Sequence, residues 1–436
     1  LAESTAPNTA GDELVMYLTD WNDFDSVKKL HDTGAANYVT TLNYAFADVR
    51  PAHLTEAESL ALDYADYDAE KHGPIVCVPA QPENDFRRAY AAQESINGEA
   101  DDPKANLKGF VNQIRILKEI HPQIKVVISL GGWLLSKWFS VAASTVAGRK
   151  SLIDSSIELW IGGQYEGVDF AGVFDGIDLD WEFPAGADLD PAGNPIPGSQ
   201  RGHPHNITLA GDVDNYVLLA QEYRAALDEV AGDRHLLLTA ATPGTWRGDM
   251  GFNYAELAKY MDWFCVMNYD MHGSWNPYVA HGAPFYDFAG PEPVGVVEFV
   301  EYLIKSGVPS RKVVLGIPFY GPHWKSVEVG PGGELINQPA AGVGVKTYRD
   351  LVALATQRGL EPQWDDHGRG SYFFDAKTRE FYSYDSARVI ELKGKEIAKR
   401  LNLRGMMAWE FDQDTADAEL TLTMARALKI PRVPRK

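Results

Sequence analysis

Three observations in this 436-residue chain predict an α/β fold, a closed (β/α)8 (TIM) barrel carrying a small α+β insertion between strand 7 and helix 7. Eight short β-branched or aromatic runs recur along the sequence. Amphipathic helical patterns separate most of them. The stretches that break the alternation all follow strands. Strands alternating with helices imply a parallel sheet, and eight is the number that closes a barrel.

The expected strands are 14–20 (LVMYLTD), 38–46 (YVTTLNYAF), 124–130 (IKVVISL), 173–180 (VFDGIDLD), 235–241 (HLLLTAA), 262–269 (DWFCVMNY), 312–319 (KVVLGIPF) and 404–410 (RGMMAWE). Helical periodicity is clear in 106–120, with apolar residues at Leu107, Phe110, Ile114 and Leu117, and again in 213–230 and 387–401. Residues 47–105 and 184–212 are rich in Pro, Asp, Gly and Ala. Both follow strands and so should decorate the carboxyl-terminal face, where barrel sites lie. In the stretch 322–383, the aromatic runs of RGSYFFDAKTREFYSYD flank a polar turn and read as a hairpin. The expected division is therefore a barrel from 1–321 and 384–436, interrupted by an insertion at 322–383 that walls the site.

Composition narrows the function. Forty basic residues against 61 acidic ones give a net charge of −21, which argues against nucleic acid and anionic membranes as partners. No apolar run approaches the ~18 residues of a membrane span. Cys77 and Cys265 are the only cysteines; Cys265 sits in an apolar run and reads as a small buried hydrophobe. No Cys/His spacing resembles a zinc site, so neither metal nor cofactor is expected. The chain opens LAESTAPNTAGDE, without an initiator Met, which reads as a processed, secreted form. His203 and His205 fall in a Pro/Gly-rich loop and read as solvated, and Asn206-Ile207-Thr208 is a glycosylation sequon. Ser129 has no evident His–Asp pairing that would make it a nucleophile.

The strongest signal is FDGIDLDWEFP at 174–184. Asp178, Asp180 and Glu182 stand two apart and so share one face of a strand, while Leu179 and Trp181 point into the strand–helix layer. An exposed acidic edge would not be flanked by so many apolar residues, and no His or Asn falls at metal-ligand spacing. Crowded carboxylates cannot all ionise cheaply, so mutual repulsion should keep one protonated near neutral pH. Glu182, nearest the barrel mouth, is the expected general acid, with Asp180 and Asp178 progressively deeper and sharing a proton.

DGIDLDWE resembles the DGxDxDWE signature of the glycoside hydrolase family 18 chitinases. Other matches occur in order over nearly the whole chain: YLTDW (17–21), NYAF (43–46), SLGGW (129–133), MNYD (267–270), GIPFYG (316–321) and MMAWE (406–410). The seventh-strand motif and the insertion after it resemble the bacterial subfamily with an extra α+β domain and a deep cleft. One position departs: Pro322 stands where family members commonly carry Arg, so a cationic contact is missing or comes from elsewhere, for example Arg247.

The resemblance implies hydrolysis of β-1,4-linked N-acetylglucosamine polymers, acting on chitin and chito-oligosaccharides as a monomer. The mechanism it implies is substrate-assisted retention, an exception to the two-carboxylate scheme. Glu182 would protonate the glycosidic oxygen while the substrate's acetamido carbonyl attacks the anomeric carbon. Asp180 would stabilise the resulting oxazolinium ion, with Asp178 behind it. Tyr269 would donate to the acetamido oxygen, Asp270 would bind the distorted sugar, and Tyr17 and Met267 would shape the acetamido pocket. Sugars present apolar C–H faces, so aromatic rings should line the cleft. Among the eleven tryptophans, Trp409 is the expected floor, and Trp133, Trp275, Trp21 and Phe46 are the expected flanking platforms. Trp160, Trp181 and Trp263 read as core. Two other functions fit the same barrel: an endo-β-N-acetylglucosaminidase acting on N-glycans, which needs a more open cleft, and a non-catalytic sugar-binding lectin, which typically lacks the acid.

Overall fold

The computed structural model describes residues 12–184, 202–245, 252–286 and 294–433. Eight parallel strands close on themselves: β1 (Glu13–Thr19), β2 (Thr41–Pro51), β3 (Lys125–Gly131), β4 (Gly176–Asp180), β5 (Leu237–Pro243), β6 (Trp263–Met267), β7 (Val313–Pro318) and β8 (Gly405–Trp409). Each strand pairs with the next, and β1 pairs with both β2 and β8. Every expected strand is present, with boundaries shifted by a few residues.

The strands are mostly apolar because both faces are covered, with buried polar residues such as Asn43, Ser129, Asp178, Asp180 and Thr239 among them. On β1, Leu14, Met16 and Leu18 join the large cluster between barrel and helices. The alternate residues Val15 and Tyr17 face the barrel interior with Val127, Trp263, Cys265, Val314 and Met407. The same alternation on β4 sends Leu179 and Trp181 outward. Trp181 stacks on Phe139 at 5.5 Å and meets the edge of Tyr216 at 5.3 Å. Burying such a ring stabilises by roughly 1.5–3 kcal/mol, and it fixes the strand end whose next residue is Glu182. Trp160 is likewise buried in the outer core, and Cys77 and Cys265 are buried free thiols.

Helices Gly109–Ile120, Asp212–Ala231 and Ala387–Lys393 occupy the expected periodic segments. The segment 47–105 holds more order than its composition suggests. β2 runs on to Pro51, and Ile75–Pro79 pairs with it antiparallel, adding a ninth strand to the sheet. IVCVP is short and bounded by Pro, so its β character is easily missed in a Pro-rich stretch.

After β7 the chain forms a five-stranded antiparallel sheet, with strands ordered Ala341–Thr347, Tyr320–Lys325, Glu380–Tyr384, Gly370–Asp375 and Gln363–Asp365. The expected hairpin is its 370–375/380–384 pair, and the sheet starts two residues before the expected insertion. It has its own small core of Val279, Trp324, Val327, Leu335 and Phe381. Trp324 donates its indole N–H to the Asn276 carbonyl at 3.0 Å. Gly342 lies so close to Ser274 that a Cβ would fall 1.8 Å from the Ser274 carbonyl oxygen. The inserted sheet thus braces the loop that carries Trp275. Among the described residues no helix is long and apolar enough to cross a membrane.

Candidate active site

The acidic strand end lies at the carboxyl-terminal mouth of the barrel. Asp178 is fully buried and accepts three hydroxyl hydrogen bonds: from Tyr17 (2.8 Å), Ser129 (2.7 Å) and Thr239 (2.6 Å). Burial raises its pKa, and these donors offset only part of that rise. Bonds to a charged acceptor are worth roughly 1.5–3 kcal/mol each, so three of them make Asp178 the carboxylate best held as an anion.

Asp180 behaves differently. Burial first, then the charges of Glu182 and Asp178, push its pKa well above the usual carboxylate range. Its side chain is hydrogen-bonded to that of Glu182. Two carboxyl groups can bond in this way only if one of them holds a proton. The pair therefore titrates as a unit. Glu182 is pushed up to about 8, by burial first and then by the charge of Asp270, while its bond to Asp180 lowers it. This corrects the expected cause. Desolvation by the cleft walls is the largest cause at both carboxyls; the charges of Glu182 and Asp178 add to it at Asp180, and the charge of Asp270, just beyond β6, adds to it at Glu182. The shared proton also lies between Asp180 and Glu182, with Asp178 anchored separately by hydroxyls.

Two cavities of about 570 Å³ each meet at Glu182. Both are lined by Glu182, Trp133, Met267, Tyr269 and Asp270. One lobe adds Asp180, Tyr17, Trp21, Phe46 and Trp409. The other adds Trp275, Phe183, Pro243 and Thr245. The expected catalytic and sugar-binding residues thus line this cleft, except Asp178, which lies beneath it. Trp409 stacks on Phe46 at 5.6 Å and Phe46 on Trp21 at 6.0 Å, forming a continuous aromatic wall. Trp21, Trp133 and Trp275 are 39%, 46% and 54% exposed, far more than packing rings would be, so their faces are available. Trp181 and Trp263 are buried, as expected of core.

The neighbouring glycines permit this closeness. Gly131 (φ +101°) and Gly132 (φ +76°) adopt backbone that disfavours side chains. A Cβ on Gly132 would fall 2.5 Å from the Phe46 ring, and one on Gly131 2.5 Å from the Asp180 carbonyl oxygen.

Several neighbours escape a reading of the sequence. Tyr320 donates to Asp270 at 2.9 Å and lines the cleft. Its position in the FYG motif is the available signal. Glu56, Gln81, Leu134 and Leu135 also line the first lobe. Ser136 and Asn206 contact the backbone of Glu182. Pro322 packs its ring toward Gly282 at the edge of a small adjoining cavity. Behind it, buried Lys393 is held by Asp385 (2.5 Å) and the Ala283 carbonyl (2.9 Å). Among the described residues lining the two lobes none is a cation. Arg247, the other expected source of a cationic contact, lies outside the described residues.

His203 and His205 have ring centroids 4.9 Å apart, and His203 meets the edge of Trp133 at 6.0 Å. Among the described residues no group of three or more His, Cys, Asp or Glu is arranged to hold a metal ion.

Comparison with known proteins gives a consistent result. Residues 13–414 match the family model described as Glycosyl hydrolases family 18. The chain is 31% identical over 393 residues to Chitinase 1 of Aphanocladium album, covering 87% of this chain and 81% of that protein. It is 30% identical over 426 residues to Chitinase C of Streptomyces lividans, covering 95% of this chain but only 59% of that protein's length. The catalytic domain of psychrophilic chitinase B from Arthrobacter TAD20 superposes with a TM-score of 0.79 at 26% identity, covering 97% of each chain.

Proposed function

We propose, from the premise that this chain belongs to glycosyl hydrolases family 18, that it is a chitinase cleaving β-1,4 bonds between N-acetylglucosamine units by substrate-assisted retention. The observation that carries this reading is the hydrogen-bonded Asp180–Glu182 pair at the junction of two aromatic-lined lobes. A chain lying along both lobes would present one glycosidic bond to Glu182, with sugar rings stacked against Trp409 and the exposed tryptophans on either side.

In the first step Glu182 delivers its proton to the leaving oxygen as the acetamido carbonyl of the bound sugar attacks the anomeric carbon. Loss of that proton leaves Glu182 able to take a new one from water in the second step. Asp180 Oδ1 is buried without a hydrogen-bond partner. Such an atom is costly unless something fills its need, and an acetamido N–H can do so. Tyr269, whose hydroxyl sits 4.0 Å from the soft acceptor Met407 Sδ, is free to turn its donor to the acetamido oxygen. Tyr320 holds Asp270 in place as a ligand for a sugar hydroxyl. Site complementarity is thus greatest where positive charge develops on the substrate.

The two lobes and the braced Trp275 loop favour a polymer over a branched N-glycan, and the loaded acid favours a catalyst over a lectin. An insoluble polymer cannot enter a cell, so the proposed place of action is outside it, with the monomer as the working unit. Product profiling on insoluble chitin beside a high-mannose glycopeptide tests the substrate. Soluble N-acetylated oligosaccharides should appear from chitin while the glycopeptide stays intact; release of the glycan with chitin untouched would overturn the assignment.

A further inference from the structure

Glu182 lies two residues beyond the end of β4, so no sheet ladder fixes its backbone. Side chains do this instead. Ser136 Oγ accepts the Glu182 N–H at 3.0 Å, and the same oxygen lies 2.7 Å from the Gly132 carbonyl and 3.1 Å from the Asp180 carbonyl. On the other side, Asn206 Nδ2 donates to the Glu182 carbonyl. A carbonyl only accepts, which settles which way this amide faces.

The geometry points to Asn206 as a positioning residue for the general acid, its amide withdrawn from glycosylation although Asn206-Ile207-Thr208 is a sequon. Three further features support the contact. Gly202 leaves room for it, since a Cβ there would fall 2.6 Å from the Glu182 carbonyl oxygen and 2.9 Å from Asn206 Nδ2. The Asn206 N–H closes a turn onto the His203 carbonyl at 2.9 Å. Ile207 N–H then bonds the Lys137 carbonyl at 3.2 Å, docking this loop on the residue next to Ser136. The loops after β3 and β4 therefore grip both polar groups of the Glu182 backbone and lock to each other.

Catalytic groups need placement within about 0.5 Å, and a misplacement of about 1 Å can cost on the order of 10²-fold in rate. A glycan on Nδ2 would have to occupy the space against the Glu182 backbone. The folded, active chain therefore carries Asn206 unmodified.

This inference rests on Glu182 being the acid, which Glu182→Gln tests separately. Asn206→Asp keeps the size but replaces the donor with an acceptor facing a carbonyl. Its kcat on soluble chito-oligosaccharides should fall about tenfold, the scale of one lost hydrogen bond with added repulsion, while KM stays within about twofold. In Asn206→Ala, which adds no charge beside Glu182, the alkaline limb of kcat/KM should move to lower pH, because a loosened carboxyl is better solvated. A merely structural role would lower Tm and leave that limb in place. Should the Asp variant fail to fold, Asn206→Ala, which removes the donor without adding charge, gives the kcat and KM reading as well as the pH limb. Thr208→Ala destroys the sequon, keeps the amide and should retain the wild-type rate. Wild-type kcat with an unmoved limb in the Asn206 variant, when Glu182→Gln is inactive, would overturn this inference alone. So would fully active protein from a glycosylating host bearing a glycan at Asn206.

Discussion

Glu182→Gln is expected to lower turnover of chito-oligosaccharides by at least ~10²-fold, within the range a positioned general acid contributes. The amide fills the same space and keeps hydrogen-bonding capacity, so oligosaccharide binding should survive. What disappears is the proton. The same residue should set the pH behaviour of the unmodified enzyme. With Glu182 pushed up to about 8, the loaded form dominates below that value. kcat/KM should therefore hold through neutral pH and fall as pH rises through about 8. Glutamine has no such titration, so the residual activity of the variant should lack that limb. Both are read from initial rates across pH, with binding measured by calorimetry. Near wild-type turnover in the variant would remove Glu182 from the role of acid.

Asp180→Asn is expected to be nearly as severe, with a loss on the order of 10²-fold, comparable to removing one preorganised electrostatic contact in a transition state. Two effects act together. Asparagine cannot share a proton with Glu182, so the coupled pair no longer exists. It also cannot carry negative charge opposite a developing oxazolinium ion. Asp178 cannot substitute, because Tyr17, Ser129 and Thr239 already bind its two oxygens. The measurement is kcat on N-acetylated oligosaccharides with Tm recorded alongside. A variant with kcat within a factor of two of wild type would show that the Asp180–Glu182 bond is incidental to the chemistry.

Much of the barrel and the heart of the site are legible in the sequence because their signals are local. A strand buried on both faces must be apolar, so eight such runs announce themselves. Carboxylates at 178, 180 and 182 share a face for reasons of backbone geometry alone, and residues 179 and 181 must then go to the core. Strand-end aromatics such as Trp409 and Phe46 obey the same logic.

The remainder depends on contacts across long sequence separations. Asn206 reaches Glu182 from 24 residues away and Tyr320 reaches Asp270 from 50; the FYG motif marks Tyr320 but does not name its partner, and the local pattern around Asn206 does not point to Glu182. The antiparallel strand at 75–79 is hidden because its pairing partner, the extension of β2 beyond residue 46, runs past the expected strand end. The main cause of the raised pKa of Glu182 escapes the sequence for a related reason. Spacing along a strand shows which charges are neighbours, but the extent of desolvation depends on walls supplied by β6, β8 and the inserted sheet.

In the proposed mechanism the attacking atom belongs to the substrate. An ordinary retaining glycosidase needs a second carboxylate ~5 Å from the acid. Asp270, across the cleft and held by Tyr320, is the residue to which such a role would fall. Time-resolved proton NMR of chito-oligosaccharide hydrolysis, run beside fully deacetylated chitosan oligomers of the same length, separates the two. The β-anomer should be released first from the N-acetylated chain, and the deacetylated chain, lacking the acetamido carbonyl, should give no product. Initial release of the α-anomer, or efficient cleavage of the deacetylated oligomers, would contradict that mechanism.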